Sequence, residues 1–429
     1  MSFSPIKIVD IELAEPIRPC EGLHGYGAVE ALVRLHGTPI GSVRLPLREG
    51  RCAEADLSEA IVDQLSLPIA RHLLADGLAA LPAGLSLAEL AKVAHPDYAG
   101  PFPPVTVAVC TRDRPEDLRI CLDAIARVDY PALEVLVVDN APSSDATQEL
   151  LRARFPEMRY VREPRPGLDW ARNRAILEAR GEIIAFTDDD VVVDPGWARA
   201  LAQLFVENSE VMAVTGLVAA YELETEAQAL FERYGGFGRG FERKWYRLNR
   251  HAPRKERYHI GAGILGTGAN MAYRREIFAQ IGLFDPALDV GTATNGGGDL
   301  EMFFRVLKEG HTLVYEPAAL VRHRHRRDYA ALRAQIANNG IGFFSFLYRS
   351  ARAYPGEAPA IARLGIWWLW WWNLRRLLVS YRNPAYFPRD LILAELRGSF
   401  AGLRRYQKAR REMAQMIRKF GPPAQRGIS

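Results

Sequence analysis

Hydrophobic and polar positions give the first part of the chain a pattern of its own. In IKIVDIEL, and again on both sides of Gly37-Thr38-Pro39, apolar and polar residues alternate as they do in half-buried strands. SEAIVDQLSLPIARHLLADGL then carries apolar residues at helical spacing. Residues 96–104 are rich in proline and glycine and predict a linker. We therefore predict a small N-terminal α+β module over residues 1–95.

From residue 105 onward the pattern changes to short, apolar runs separated by helical stretches. The runs VTVAVC, EVLVVDN, MRYVRE and EIIAFTD follow one another at intervals of about 25 to 30 residues. Strands at this spacing, with helices between them, indicate βαβ units in a parallel sheet. The chain beyond about residue 328 is mostly helical in pattern. We predict an α/β domain over residues 105–328 and a helical C-terminal region over residues 329–429.

Polar residues stand at the carboxyl ends of three predicted strands. Thr111 ends the first, Asp139 the second, and Asp188, Asp189 and Asp190 the fourth. Ligands of open parallel sheets bind beyond these ends. Adjacent carboxylates repel each other, and a hard cation such as Mg²⁺ or Mn²⁺ among them would remove that repulsion. The alternative is that the acids form turns and helix caps, but a turn needs one acid rather than three.

Six motifs occur in the order and spacing of one known family. They are VAVCTRDRPEDL, VLVVDNAPSSD, PGLDWARNRAI, IAFTDDDVVVDPGW, GTGANMAYRREIFAQIGLFDP and NGGGDLEMFFRVLKEGHTLVYEPAALVRH. Over about residues 105–325 the chain resembles family 2 glycosyltransferases of the GT-A fold. The resemblance implies a mostly parallel nucleotide-binding sheet with flanking helices. It also implies inverting transfer of a sugar from a UDP-, GDP- or dTDP-linked donor to a hydroxyl of a carbohydrate or lipid-linked acceptor.

The resemblance assigns a metal site and a donor site. Asp188 and Asp190 match the motif that binds the metal and the ribose, and we place Asp189 between them in the donor site. The metal, Mn²⁺ or Mg²⁺, would stabilise the leaving diphosphate. His323 aligns with a histidine that completes the metal site in some relatives. The alternative for His323 is a place in a basic surface patch with its arginine neighbours.

Three further donor-site residues follow from the resemblance. Asp139 matches the acid that binds the nucleobase, and Thr111 lies in the loop that lines the base pocket. Arg172 matches a basic residue near the base and the diphosphate. A solvated helix face is the alternative for Arg172, because ARNRA is a common helical composition.

The catalytic base is predicted from NGGGDLEM. An inverting transfer needs a carboxylate that accepts the proton of the acceptor hydroxyl. Asp299 aligns with the family's base, although Gly298 stands where the family usually carries another acid. Glu301 is the second candidate. The alternative for Asp299 is a simple N-cap of the following helix.

Composition and charge limit the other functions. The net charge of +4 over 429 residues argues against a dedicated nucleic-acid binder. The four cysteines form no CxxC pair, which indicates neither a zinc site nor a disulfide framework. The first residues carry early acids and no long apolar core, so we expect no signal peptide and a cytoplasmic protein.

A tryptophan-rich segment predicts contact with a membrane surface. Residues 364–380 hold five of the eight tryptophans, followed by Arg375 and Arg376. The apolar part would extend about 16 Å as a helix, roughly half of a hydrocarbon core, which is short for a membrane span. Trp and Arg suit the membrane interface, so we expect peripheral contact at the cytoplasmic membrane. Burial in the helical region or an oligomer interface is the alternative.

Two other functions remain open from the sequence. A nucleotidyltransferase would share the nucleotide crevice and metal, but it should carry Gly and Lys after the first strand, where CTRDRPEDL has neither. A non-catalytic scaffold that binds nucleotide sugars would lack the base, whereas Asp299 is present.

Overall fold

A computed structural model of the chain describes residues 3–75, 98, 100–248 and 262–421. The predicted fold class is confirmed: a mostly parallel sheet with flanking helices is joined to a small N-terminal α+β unit and a helical C-terminal region. The exact division into domains at residues 95, 105 and 328 stays a prediction.

The N-terminal unit is a three-stranded sheet covered by one helix. Its elements are β1 (Ile6–Glu12), β2 (Ala28–Leu35), β3 (Thr38–Pro46) and α1 (Glu54–Ala75). β1 is parallel to β2, which is antiparallel to β3. The turn between β2 and β3 lies at His36 and Gly37, both with positive φ, one residue earlier than the predicted Gly37-Thr38-Pro39. The last predicted residues of the helix, 76–78, lie outside the described residues.

The large sheet has nine strands among the described residues. They are β4 (Val105–Thr111), β5 (Leu133–Asn140), β6 (Arg159–Glu163), β7 (Ile183–Asp188), β8 (Val191–Val193), β9 (Val211–Ala220), β10 (Lys244–Tyr246), β11 (Asn270–Arg274) and β12 (Thr312–His323). Their order is β10-β12-β9-β11-β7-β4-β5-β6, with β8 also paired to β12. The four predicted strands β6, β5, β4 and β7 are parallel to one another, as expected. β11 enters antiparallel between β7 and β9.

Helices cover both faces of this sheet. They are α2 (Pro115–Ile125), α3 (Ala146–Arg154), α4 (Leu168–Glu178), α5 (Trp197–Glu207), α6 (Glu226–Tyr234), α7 (Ile277–Ile281) and α8 (Gly298–Lys308). All seven residues of β4 are buried, which explains its unbroken apolar run. Its alternate side chains enter two different cores: Val107 and Val109 on one face, Ala108 and Cys110 on the other. The parallel arrangement brings the carboxyl ends of β4, β5 and β7 to one edge.

The C-terminal region forms a wall beside that edge. It consists of α9 (Tyr329–Ala353), α10 (Ala358–Trp367), a π-helical segment (Trp368–Leu374), α11 (Arg375–Arg382) and α12 (Arg389–Phe420). α9 and α12 approach so closely that a Cβ on Gly398 would lie 2.1 Å from the carbonyl oxygen of Ala337. Across the described ranges, the chain has no helix that combines the length and the hydropathy of a membrane span.

Candidate active site

The strand ends open into one crevice with two compartments. The larger has a volume of about 610 Å³ and is lined by the ends of β4 and β7 together with His323. The smaller, of about 320 Å³, is lined by Arg172 and Asp299 and by part of α9. Asp188 and Phe237 line both compartments, so the two are continuous. Asp188 therefore lies at the junction.

The middle acid of the triplet is held by protein groups. The hydroxyl of Thr111 donates to Oδ2 of Asp189 over 2.8 Å, and Arg114 donates to Oδ1 over 2.6 Å. Burial raises the pKa of Asp189 to about 7, while Arg114 opposes this rise. Thr111 and Asp189 both line the larger compartment. Their mutual hydrogen bond gives them a further role, because together they fix the loop after β4 against the end of β7.

Arg114 is a site residue that the sequence reading missed. Its second nitrogen donates to Oδ2 of Asp190 over 3.1 Å, so one guanidinium bridges Asp189 and Asp190. It also pairs with Asp117 in the first turn of the following helix, α2, at 2.9 Å. A positive charge shared among adjacent acids relieves part of their repulsion. Its place in CTRDRPEDL, three residues after the end of β4, was the signal in the sequence that could have identified Arg114.

Asp188, Asp190 and His323 form a group that suits a metal ion. One potential ligand atom from each lies within 4.8 Å of the others. Nε2 of His323 is 3.3 Å from Oδ1 of Asp190. His323 arrives there because the last residues of β12 pair antiparallel with β8, which puts His323 opposite Val191. The predicted three residues are thus brought together, and His323 is buried rather than part of an exposed basic patch.

The donor set fits a divalent cation. Two carboxylates and one imidazole suit Mn²⁺, and the carboxylates also suit Mg²⁺. Burial raises the pKa of Asp188, and Arg172 opposes this rise. For Asp190, burial acts in the same direction, but His323 and Arg114 outweigh it and hold the pKa well below its usual range. Asp190 is thus held as a carboxylate, the form in which it can bind a cation.

Arg172 lies in the crevice and not on a solvated helix face. Its side chain is buried, with Nη1 donating to Oδ1 of Asp169 over 3.0 Å. Nη2 lies 4.0 Å from Oδ1 of Asp188. Arg172 therefore adds a positive charge at the junction of the two compartments.

Asp169 is a second residue that the sequence reading missed. Among the described residues its Oδ2 has no hydrogen-bond partner, and the side chain lines the smaller compartment. A Cβ built on Gly298 would lie 1.9 Å from this oxygen. The missing side chain at Gly298, where the resemblance expects an acid, thus leaves the space that the Asp169 carboxylate occupies. Burial raises the pKa of Asp169 to about 7, while Arg172 opposes this rise.

Asp299 lies in the first turn of α8 and lines the smaller compartment. Its two oxygens accept from different backbone groups, Oδ2 from the amide of Gly268 and Oδ1 from that of Leu300, each over 2.8 Å. The backbone before Asp299 packs closely against α9. Gly297 has a φ of 104°, and a Cβ there would lie 2.6 Å from the carbonyl oxygen of Gly342. Asp299 is therefore fixed in place and half-buried beside the crevice.

Glu301 and Asp139 lie behind the crevice walls and line neither compartment. Glu301 is fully buried and pairs with Arg305 and Arg349. Asp139 is also fully buried, and one of its oxygens accepts from the hydroxyl of Tyr160 over 2.9 Å. Its neighbour Asn140 does line the larger compartment. The structure thus brings the other predicted residues together and leaves these two apart from them.

Part of the chain matches one family model, and curated glycosyltransferases are among its similar proteins. Residues 106–282 match the model described as Glycosyl transferase family 2. Pre-mycofactocin glycosyltransferase of Mycobacterium tuberculosis (strain ATCC 25618 / H37Rv) is 26% identical over 279 residues, which cover 62% of this chain and 54% of that protein. Succinoglycan biosynthesis protein ExoM of Rhizobium meliloti (strain 1021) is 27% identical over 234 residues, covering 53% of this chain and 69% of that one. The chain thus spans about half the length of the first of these relatives.

A similar solved structure is the mannosyltransferase PcManGT from Pyrobaculum calidifontis in complex with GDP-Man and Mn²⁺. It is 19% identical, covers 70% of this chain and 87% of its own, and has a TM-score of 0.47.

Proposed function

We propose that this chain, in which residues 106–282 form a family 2 glycosyltransferase domain, transfers a sugar from a nucleotide diphosphate-sugar to an acceptor hydroxyl with inversion. The observation that carries the proposal is the two-compartment crevice. The group Asp188, Asp190 and His323 lies on one side, and Asp299 lies on the other. One relative named above is a succinoglycan biosynthesis protein by its name, which supports a polysaccharide or glycolipid product.

The larger compartment would hold the nucleotide diphosphate. Asp188, Asp190 and His323 would hold Mn²⁺ or Mg²⁺. When bound, this cation supplies positive charge that stabilises the departing diphosphate. Arg114 and Arg172 add fixed positive charge near the same position. Thr111 and Asn140 line the end of the compartment at β4 and β5, where a nucleoside would bind. Asp139 would support that end from behind.

The smaller compartment would hold the acceptor hydroxyl. The hydroxyl oxygen forms the new bond to the anomeric carbon as the bond from that carbon to the diphosphate oxygen breaks. The hydroxyl proton passes to the carboxylate of Asp299. Two backbone amides fix this carboxylate, so its position does not depend on a flexible side chain. Attack from the face opposite the leaving group inverts the anomeric carbon.

Thermal unfolding with a panel of UDP, GDP and dTDP, each with and without Mn²⁺, tests the donor site. A ligand at about 100 times its Kd adds about 2.7 kcal/mol to the free energy of unfolding when it binds only the native state. We expect one nucleotide to raise the Tm, only in the presence of Mn²⁺, and Asp190→Ala to lose this rise. Asp123→Asn, an ion-paired acid of α2 outside the crevice, is the control and should keep it. The proposal fails if no nucleotide raises the Tm of the wild type.

The exposed part of the tryptophan-rich segment supports peripheral contact with an anionic membrane. Trp370 and Trp371 are 64% and 50% exposed, and Ile366 is 66% exposed. Arg375 stacks on Trp371 with its guanidinium carbon 4.6 Å from the ring centre. Trp372 instead points inward and donates to Glu395 over 3.2 Å. We propose that the exposed tryptophans enter the interface while the arginine meets lipid phosphates.

Replacing Trp370 and Trp371 by serine should weaken binding to vesicles of phosphatidylcholine and phosphatidylglycerol by about tenfold or more. Each lost ring removes apolar area worth about 1.5 kcal/mol or more, and about 1.4 kcal/mol corresponds to a tenfold change in affinity. Vesicle co-sedimentation measures this. Trp245→Ser, which removes another exposed tryptophan on β10, is the control and should bind as the wild type does. Equal vesicle binding by the double variant and the wild type would contradict membrane contact through these tryptophans. It would favour burial of the segment in the helical region or in an oligomer interface.

A further inference from the structure

A hydrogen-bonded chain lies behind His323. Nδ1 of His323 is 3.2 Å from Nδ1 of His325, and Nε2 of His325 is 2.6 Å from Oε1 of Glu232. His325 is buried, whereas the Glu232 carboxylate is about one third exposed. Neither His325 nor Glu232 is used in the reaction proposed above. The chain runs from the candidate metal group to the C-terminal end of α6.

Glu232, at the outer end, determines which atoms donate and which accept along these hydrogen bonds. An ionised carboxylate only accepts hydrogen bonds, so Nε2 of His325 must carry the hydrogen that faces Glu232. In the neutral ring, Nδ1 of His325 is then an acceptor, and the hydrogen between the two rings belongs to Nδ1 of His323. The remaining lone pair of His323 is on Nε2, the atom that faces Asp190. A lone pair opposite a carboxylate is unfavourable unless a proton or a metal ion lies between them. A proton on Nε2 lets His323 donate to Asp190, and a divalent cation can take the place of that proton.

Aromatic rings hold both imidazoles in this orientation. Phe231 packs edge-on against His325 with ring centres 4.7 Å apart, and Phe237 packs edge-on against His323 at 5.0 Å. Gln228, one turn before Glu232 on α6, donates to the backbone carbonyl of His325 over 3.4 Å. The two imidazole rings therefore have little freedom to rotate. The hydrogen bond from His325 to Glu232 then determines the tautomer of both rings.

We infer that Glu232 and His325 are positioning residues that fix the tautomer and orientation of His323, so that its Nε2 is presented to a divalent cation held with Asp188 and Asp190. The inference rests on the proposed function, from which it takes the metal site. Partners of this kind, which hold a metal-binding imidazole from behind, are worth about 10- to 100-fold in metal affinity.

The affinity of the full-length protein for Mn²⁺, measured by isothermal titration calorimetry with no nucleotide and no acceptor, tests the inference. We expect His325→Phe, which keeps a ring against Phe231 but loses both hydrogen bonds, to weaken Mn²⁺ binding by about 10- to 100-fold. Glu232→Ala should weaken it by a similar factor. Glu232→Gln should fall between Glu232→Ala and the wild type, because its amide oxygen can still accept from His325. Glu224→Ala is the matched control. Glu224 lies just before α6 and pairs with Arg327 rather than with His325, so this variant should bind Mn²⁺ with normal affinity.

A second measurement separates positioning from general loss of structure. Nitrogen-15 NMR of the histidines in the Mg²⁺-loaded protein should show a hydrogen on Nδ1 of His323 in the wild type and a changed tautomer population in Glu232→Ala. Normal Mn²⁺ affinity and an unchanged tautomer of His323 in both His325→Phe and Glu232→Ala would overturn this inference but not the proposed function. Absence of Asp190-dependent Mn²⁺ binding in the wild type would overturn it together with the metal site of the proposed function.

Discussion

Replacing Asp299 by asparagine is expected to lower the rate of sugar transfer by about 100-fold or more. The amide cannot take the proton of the attacking hydroxyl, whether that hydroxyl belongs to a carbohydrate or to water. Nucleotide binding should stay unchanged, because Asp299 lines the smaller compartment and is absent from the lining of the larger one. The measurement is the initial rate of nucleoside diphosphate release from the donor whose nucleotide stabilises the wild type.

Two comparisons make this result specific. Asp123→Asn makes the same chemical change at an ion pair on α2 and should keep the wild-type rate. The asparagine can accept from only one of the two amides that hold Asp299, so circular dichroism and the Tm must first show a folded protein. A folded Asp299→Asn variant that releases nucleotide at the wild-type rate would rule out Asp299 as the base.

Replacing Glu301 by alanine is expected to cost about 3–5 kcal/mol of stability. Glu301 is fully buried, and its carboxylate pairs with Arg305 on the next turn of α8 and with Arg349 on α9. Its removal would leave two largely buried guanidinium groups without their shared counter-charge. The midpoint of urea unfolding, compared with that of the wild type, measures the effect.

The matched control is Glu412→Ala, which removes an exposed pair with Lys408 on α12 and should cost less than about 1 kcal/mol. Nucleotide release per folded molecule should stay near the wild-type rate in Glu301→Ala, because Glu301 does not line the crevice. A stable Glu301→Ala variant with a strongly reduced rate would instead support Glu301 as the base, which was the second prediction from the sequence.

Local pattern predicted the strands that build the donor side. β4 is buried on both faces, so its sequence is continuously apolar, and the polar residue that ends it marks the edge of the sheet. The same reasoning found the ends of β5 and β7. The glycine run before Asp299 was also readable, because Gly296 and Gly297 do take positive φ values. Each of these features depends on residues that are neighbours along the chain.

The sequence by itself therefore determined the α/β class, the edge where the acids meet and the candidates for metal and base. Only the tertiary structure decided which acids face the crevice and what neutralises them. The pairing of β12 with β8 carries His323 to Asp190, the loop after β4 places Arg114 between two acids, and α9 supplies Arg349 to Glu301. These contacts join residues far apart in the chain. The local pattern records whether a side chain is buried, but not which distant partner compensates its charge.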